Sequence, residues 1–357
     1  MRDGMVFVFG AGASKAENAP TTDELLLKSL TEMRDDDRIE NVKGFLRDFF
    51  YVDVRHLEAG KIPTFEETLT LIDVGLARQE DFSRDWNCAK LGEIRNNLIY
   101  CIAKILDQTL TESGKLHKSF VTNLFSNPQR TCKNTSFISL NYDILLDNAL
   151  IDLYATRDWD LDYGIEFRNF IEPVPRSAEE RTIYTQMPNE WHRPRKDNAI
   201  FLLKPHGSLN WLYCPNCNTV KITKKEKGAL RIWTQAEVCD RDRSAQKPLI
   251  VPPTWEKIYD NPHLARIWLK AGELLRSASK VFFIGCSLPD SDTKLKYLFK
   301  RTLYEATPSS RPSITVILKQ DEQTESTKDR YKRLFGPDVN FSTAGFEEFA
   351  TKVGEYV

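Results

Sequence analysis

The amino-acid sequence predicts an α/β fold in which a parallel sheet is covered by helices on both faces. One observation is a set of six short runs of apolar, often β-branched residues that are followed by Gly, Pro, Asn or Ser. A second is that helical patterns lie between several of these runs. A third is that apolar and polar residues do not alternate within the runs, which is typical of strands buried on both faces. The runs are Met5–Phe9, Ser136–Leu140, Ile200–Leu203, Leu249–Val251, Val281–Ile284 and Ile314–Leu318.

Helical patterns fill the stretch of about 115 residues between the first two strand candidates, from Thr21 to Thr135. Apolar residues recur there every three or four positions, which marks one face of a helix. Because this stretch is too long for one crossover between parallel strands, we expect an inserted helical subdomain over residues 31–129, within an α/β core formed by residues 1–30 and 130–357. The four stripes are Val42, Phe45, Leu46, Phe49 and Phe50; Leu69, Ile72 and Leu76, after a capping-box pair of Thr64 and Glu67; Leu91, Ile94, Leu98, Ile102 and Ile105; and Leu116, Phe120, Leu124 and Phe125.

The composition argues against a dedicated nucleic-acid or membrane binder. The chain has 50 Lys and Arg against 51 Asp and Glu, so it lacks the global basic field that binds polyanions. Met5–Phe9, the longest uncharged apolar run near the N-terminus, is far shorter than a signal-peptide core or the ~20 residues that span a bilayer. Seven cysteines, an odd number, predict reduced thiols. We therefore expect a cytoplasmic protein that contacts neither membranes nor nucleic acid directly.

The first strand candidate runs into a glycine turn that is typical of a Rossmann-like sheet. The turn contains Gly10, Ala11, Gly12 and Ser14, and glycine lets backbone N–H groups approach a pyrophosphate closely. Lys15 stands where the dinucleotide-binding pattern has its third Gly or Ala, which disfavours an ordinary nicotinamide dehydrogenase. A tight turn that binds no ligand is the alternative interpretation.

Polar side chains follow three other strand candidates. Asn141 and Asp143 follow the second strand, His206 follows the third, and Gly285 and Ser287 follow the fifth. Because the carboxyl ends of parallel strands meet at one edge of the sheet, these residues and the glycine turn are expected to form one site. Taken singly, each has a structural alternative: a turn-capping Asn, a packing histidine or a plain loop.

The order of these motifs resembles the sirtuin (silent information regulator) family. Within that family, the variants found here look most like the bacterial sirtuin-like NADases of anti-phage defence. The resemblance covers residues 1–30 and 130–357. The motifs are Gly10-Ala-Gly12-Ala-Ser14, Leu140-Asn-Tyr-Asp143, His206-Gly-Ser-Leu-Asn-Trp211, Cys214-x-x-Cys217 and Gly285-Cys-Ser287-Leu-Pro-Asp-Ser-Asp292.

The resemblance implies an NAD+ hydrolase that cleaves the bond between nicotinamide and ribose and depletes NAD during phage infection. Asn141 would orient the ribose or water, and His206 would be the general base. A protein deacylase and a non-catalytic sensor of NAD or ADP-ribose are the alternatives. The residues implied to contact NAD are Gly10, Ala11, Gly12, Ser14, Asp143, Gly285 and Ser287.

The resemblance to sirtuins also bears on whether the protein binds zinc and on which partners control it. Sirtuins commonly hold a structural zinc with two Cys-x-x-Cys pairs, whereas the insertion predicted over residues 214–247 has Cys214, Cys217 and Cys239 alone. Because structural zinc takes four ligands and no His lies between Cys217 and Cys239, zinc is not expected. A constantly active NADase would be toxic, so we expect control by self-association into a homo-oligomer or by a separately encoded HerA-type ATPase.

Overall fold

A seven-stranded sheet forms the centre of the molecule, and every pairing between neighbouring strands is parallel. In the computed structural model, the described residues are 4–33, 36–58, 60–110, 114–127, 130–131, 133–157, 159–169, 191–192, 198–222, 230, 238–239, 241–254, 261–290, 292–304 and 311–357. Across the sheet, the strands are β12 (Asn340–Ser342), β11 (Ser313–Ile317), β10 (Ala278–Ile284), β1 (Gly4–Phe9), β2 (Thr135–Ser139), β6 (Ala199–Leu203) and β3 (Asp160–Asp162).

The central strands are buried on both faces, as their continuous apolar runs predict. Phe7 of β1 stacks on Phe137 of β2 and on Phe282 of β10, with ring centroids 5.7 and 5.0 Å apart. Five of the six predicted runs fall on strands of this sheet. The predicted α/β fold with a parallel sheet is confirmed.

The sixth run, Leu249–Val251, was wrongly assigned to the parallel sheet. It overlaps a strand that pairs antiparallel with its neighbour in a second, five-stranded sheet. Leu249 and Val251 are buried. An apolar run therefore predicts that a strand is buried, but it does not predict which strand lies beside it. The second sheet also places a strand inside the predicted 214–247 insertion. In order, its strands are β5 (Trp191–His192), β4 (Phe167–Asn169), β8 (Val220–Ile222), β7 (Gly207–Tyr213) and β9 (Lys247–Ile250).

Helices pack against the parallel sheet, and some of them begin at a residue whose side chain caps the first turn. Thr64 Oγ1 accepts a hydrogen bond of 3.0 Å from the Glu67 amide, which confirms the Thr64 half of the predicted capping box. Thr21 and Glu24 form a reciprocal capping box. The helices are α1 (Ala11–Lys15), α2 (Thr22–Glu32), α3 (Asp37–Phe50), α4 (Phe65–Arg78), α5 (Cys88–Leu110), α6 (Lys115–Leu124), α7 (Leu145–Arg157), α8 (Pro262–Ser277), α9 (Thr293–Tyr304), α10 (Thr324–Phe335) and α11 (Gly345–Tyr356).

The apolar side chains form two clusters. The larger one lies on both faces of the parallel sheet and includes Phe120 and Leu124 of α6. The smaller one joins α2, α3, α4 and α5, for example through Leu26, Phe45 and Leu98. The predicted domain boundaries themselves remain a prediction. None of the described helices has both the length and the apolar character needed to cross a membrane.

Candidate functional site at the carboxyl edge of the sheet

A cleft lies at the edge where four neighbouring strands, β10, β1, β2 and β6, end. It holds about 1050 Å³ of empty space, open solvent at its mouth included. Most of its wall comes from the segments that follow these strands, and the rest includes Leu25, Glu66 and Leu106 of α2, α4 and α5. Of the predicted site residues, those that line the cleft are Gly10, Ala11, Ser14, Asn141, Asp143, His206 and Ser287.

The glycines bring the turns after β1 and β10 into backbone contact. The Gly12 amide donates a hydrogen bond of 2.9 Å to the Gly285 carbonyl. Gly285 has a φ of +61°, and a Cβ added there would lie 2.3 Å from the Ala13 nitrogen. A Cβ on Gly10 would lie 2.7 Å from Cys286 Sγ. Only glycine allows this approach. Gly12 and Gly285 are not among the residues that line the cleft, and they shape it through this backbone contact.

A directed chain of hydrogen bonds fixes Asn141, which is buried. Its Nδ2 donates to the Gly10 carbonyl at 3.0 Å and to Ser14 Oγ at 2.8 Å. Ser14 Oγ in turn donates to Asp143 Oδ2 at 2.6 Å. Both Nδ2 hydrogens are therefore used, and within the described part of the chain Oδ1 accepts no hydrogen bond. Asn141 is thus held with an amide oxygen left to accept a hydrogen bond.

The Asp143 carboxylate is held by hydrogen bonds to neighbouring protein groups. Its Oδ1 accepts a hydrogen bond of 3.1 Å from the Leu145 amide at the start of α7, and its Oδ2 accepts the Ser14 hydroxyl. Lys204 Nζ donates to the Asp143 carbonyl and to Asp147 Oδ2, the latter at 3.0 Å. Lys204 and Asp147 are fully buried. Through these two bonds, Lys204 joins the segment after β6 to the turn after β2 and to the first turn of α7.

A backbone carbonyl orients the His206 ring. Its Nδ1 lies 3.1 Å from the Leu140 carbonyl. A carbonyl only accepts hydrogen bonds, so Nδ1 carries the proton and Nε2 is the basic nitrogen of the neutral ring. Nε2 lies 3.8 Å from Asp292 Oδ2. His206 therefore presents a base beside a carboxylate.

Two other ionisable groups of the cleft are held neutral. Burial raises the pKa of the Tyr142 phenol, and the charges of Asp292 and Glu66 raise it further. Burial also raises the pKa of the Cys286 thiol far above its usual range, with Asp292 adding to the effect. Cys286 is therefore an inert thiol, unsuited to nucleophilic attack.

Sequence reasoning missed Asp292 and Lys204 as members of the site. Asp292 belongs to the motif that follows β10, and a carboxylate at that edge of the sheet was the available signal. Lys204 directly follows β6, but nothing in the sequence pairs it with Asp147. Ser287, which was predicted, lies exposed at the rim, where its carbonyl accepts a hydrogen bond of 2.9 Å from Arg330 Nε.

A second group of polar side chains fits a metal ion. Cys214, Cys217, Cys239 and Asp242 offer one ligand atom each, and these atoms lie within 4.8 Å of one another. Although burial alone would raise the pKa of the Cys217 thiol, hydrogen bonds, first among them those of Thr219, lower it to about 7. Three thiolates and one carboxylate suit tetrahedral zinc. The sequence argument against zinc depended on a missing fourth ligand, and Asp242 can supply one.

We expect the purified protein to contain one zinc ion per chain. Asp242→Ala should lower the zinc content and the melting temperature together, because the metal then keeps three protein ligands. Elemental analysis and thermal unfolding measure the two effects, with the exposed Asp290→Ala as the control. Substoichiometric zinc after reconstitution with excess zinc would contradict the expectation.

Comparison with known proteins assigns the chain to a family. A family model described as a SIR2-like domain matches residues 135–336, more than half of the chain. A structure solved in work on the mechanism and regulation of Sir2 enzymes is 13% identical over 99% of this chain and 92% of its own, with a TM-score of 0.44. The complex of a Sir2 homologue with NAD is 12% identical over 99% and 88%, with a TM-score of 0.46. No curated protein matches in sequence. With the family model spanning the segments that follow β2, β6 and β10, the chain belongs to the family of SIR2-like domains.

Proposed function

We propose that this protein is an NAD+ hydrolase, which cleaves the nicotinamide–ribose bond with water to give nicotinamide and ADP-ribose. The observation that carries the proposal is the meeting of Asn141 and His206 in one cleft at the carboxyl edge of the sheet. Asn141 presents an amide oxygen and His206 a basic ring nitrogen, while the glycine turn lines the same cleft. Membership in the family of SIR2-like domains supports NAD as the substrate.

The two side chains suit the two halves of the reaction. Asn141 Oδ1 accepts a hydrogen bond from a ribose hydroxyl or from the attacking water and so orients it. As the bond from ribose carbon to nicotinamide nitrogen breaks, its electron pair leaves with the nicotinamide, which becomes neutral. The water oxygen bonds to the same carbon, and His206 Nε2 takes the water proton. Asp143 acts indirectly, because both its oxygens hold other parts of the site.

The dinucleotide itself would lie along the glycine turn. Gly10, Ala11, Ser14 and Ser287 line the same cleft as Asn141. The turn follows a buried strand in the position where α/β sheets bind pyrophosphate. Gly12 and Gly285 serve this site through the backbone contact that shapes it.

Water is favoured over an acyl-lysine as the nucleophile because helices close part of the cleft. Leu25 of α2, Glu66 of α4 and Leu106 of α5 belong to its wall. These helices share the smaller apolar cluster, so they cannot move apart without exposing it. A peptide channel needs an open approach to the same ribose.

The decisive experiment incubates the purified chain with NAD, with and without an acylated lysine peptide. A hydrolase releases nicotinamide and ADP-ribose without peptide. A deacylase needs the peptide and gives the O-acyl ester of ADP-ribose, and a sensor binds NAD without cleaving it. Peptide-dependent turnover, or binding without turnover, would each overturn the proposal.

We place this activity in the cytoplasm, as NAD depletion in anti-phage defence. That setting, and control by self-association or by a HerA-type ATPase, rest on the resemblance of the motifs and stay predictions.

A further inference from the structure

We propose that Asp292 is the positioning partner of His206, with its carboxylate stabilising the protonated imidazole and so strengthening Nε2 as a base. This inference rests on the proposed hydrolysis of NAD at the same cleft and adds a residue to it.

The contact is buried on both sides. Asp292 Oδ2 lies 3.8 Å from His206 Nε2, and the two side chains are 7% and 6% exposed. The opposite ring nitrogen faces the Leu140 carbonyl at 3.1 Å. A protonated ring therefore has an oxygen beside each N–H, and removal from water strengthens the attraction between imidazolium and carboxylate.

The backbone around Asp292 fixes where its side chain lies. The Asp292 amide donates to the Pro289 carbonyl, and the Asp292 carbonyl accepts from the Lys296 amide, both at 3.1 Å. Asp290, two residues earlier, is exposed and accepts a hydrogen bond of 2.6 Å from Lys296 Nζ. One acid of this loop thus faces solvent and a lysine, while the other faces the histidine.

The other ionisable groups near His206 do not compete for this role. Tyr142 and Cys286 are neutral, because burial raises the pKa of each well above its usual range. Asp143 accepts hydrogen bonds at both oxygens, and the Lys204 ammonium is paired with Asp147. Glu66 lines the cleft from α4. Among the described residues, Asp292 is the carboxylate in ion-pair contact with His206.

The test measures the titration of His206 by NMR in protein labelled with carbon-13 histidine, with His206→Asn identifying the signal. Asp292→Asn should lower the pKa of His206 by about one pH unit, because a neutral amide no longer stabilises the imidazolium. Asp292→Glu, which keeps the charge, should restore most of the loss. Asp290→Asn is the matched control from the same loop and should leave the titration unchanged.

Kinetics give a second readout. The rate of NAD cleavage should rise with pH as His206 loses its proton, and in Asp292→Asn this rise should move to lower pH with a lower plateau, because the base is weaker. An unchanged pKa of His206 in a folded Asp292→Asn protein would overturn the inference. A shifted pKa in a protein that cleaves no NAD would support the pairing and overturn the proposed function instead.

Discussion

His206→Asn is expected to lower the rate of NAD cleavage by roughly 10²–10⁴-fold, the usual contribution of a general base. The asparagine amide can still donate to the Leu140 carbonyl, as Nδ1 of the histidine does. The orientation of the segment is therefore retained, while the basic nitrogen in the cleft is lost. Release of nicotinamide under single-turnover conditions measures the effect on the chemical step.

The matched control is His56→Asn, a histidine whose side chain is 79% exposed and bonds to Asp53. It should leave both NAD cleavage and stability unchanged. A His206→Asn protein that keeps the circular dichroism of the parent and its full rate would remove His206 from the mechanism.

Lys204→Met is expected to lower the free energy of unfolding by about 3–5 kcal/mol, because it leaves the Asp147 carboxylate buried without its partner. Lys204 and Asp147 are both fully buried, and Nζ lies 3.0 Å from Oδ2. Denaturant unfolding measures the loss. Lys204→Met combined with Asp147→Asn should recover most of it, because the amide carries no charge and its oxygen can still accept the Tyr163 hydroxyl.

A surface pair supplies the contrast. Lys352 and Glu348 form an ion pair at 2.9 Å with half-exposed side chains, and Lys352→Met should destabilise the protein far less than Lys204→Met, because water screens the exposed pair. If Lys204→Met costs no more than the surface variant, the buried pair does not stabilise the fold as we infer.

The sequence was sufficient to predict the parallel sheet and the edge where polar residues meet. Continuous apolar runs such as Val281–Ile284 report burial on both faces, and the carboxyl ends of parallel strands must converge. Asn141 and His206 could be named on that basis alone. Further residues of the cleft could be predicted only where they lie close to the end of a predicted strand.

What could not be predicted depends on contacts between distant segments. Asp242 approaches Cys214, 28 positions earlier, through the fold of the second sheet. The strand that contains Leu249 pairs antiparallel with β7, and an apolar run carries no information about the direction of pairing. Asp292 contacts His206 across 86 positions, a spacing that no local pattern records. Such pairs become visible only once the strand order is known.

The place of β1 in the sheet has a consequence for synthesis of the chain. β1 lies between β2 and β10, so it is synthesised before both of its partners, which begin at Thr135 and Ala278. At about 5–20 residues per second, its second partner follows roughly 15–55 s later. During that interval, the apolar residues Val6 to Phe9 have an unpaired strand edge, which is prone to aggregation. Newly made chains are therefore expected to depend on chaperones until β10 has emerged, and the cleft, which needs the turns after both strands, forms late.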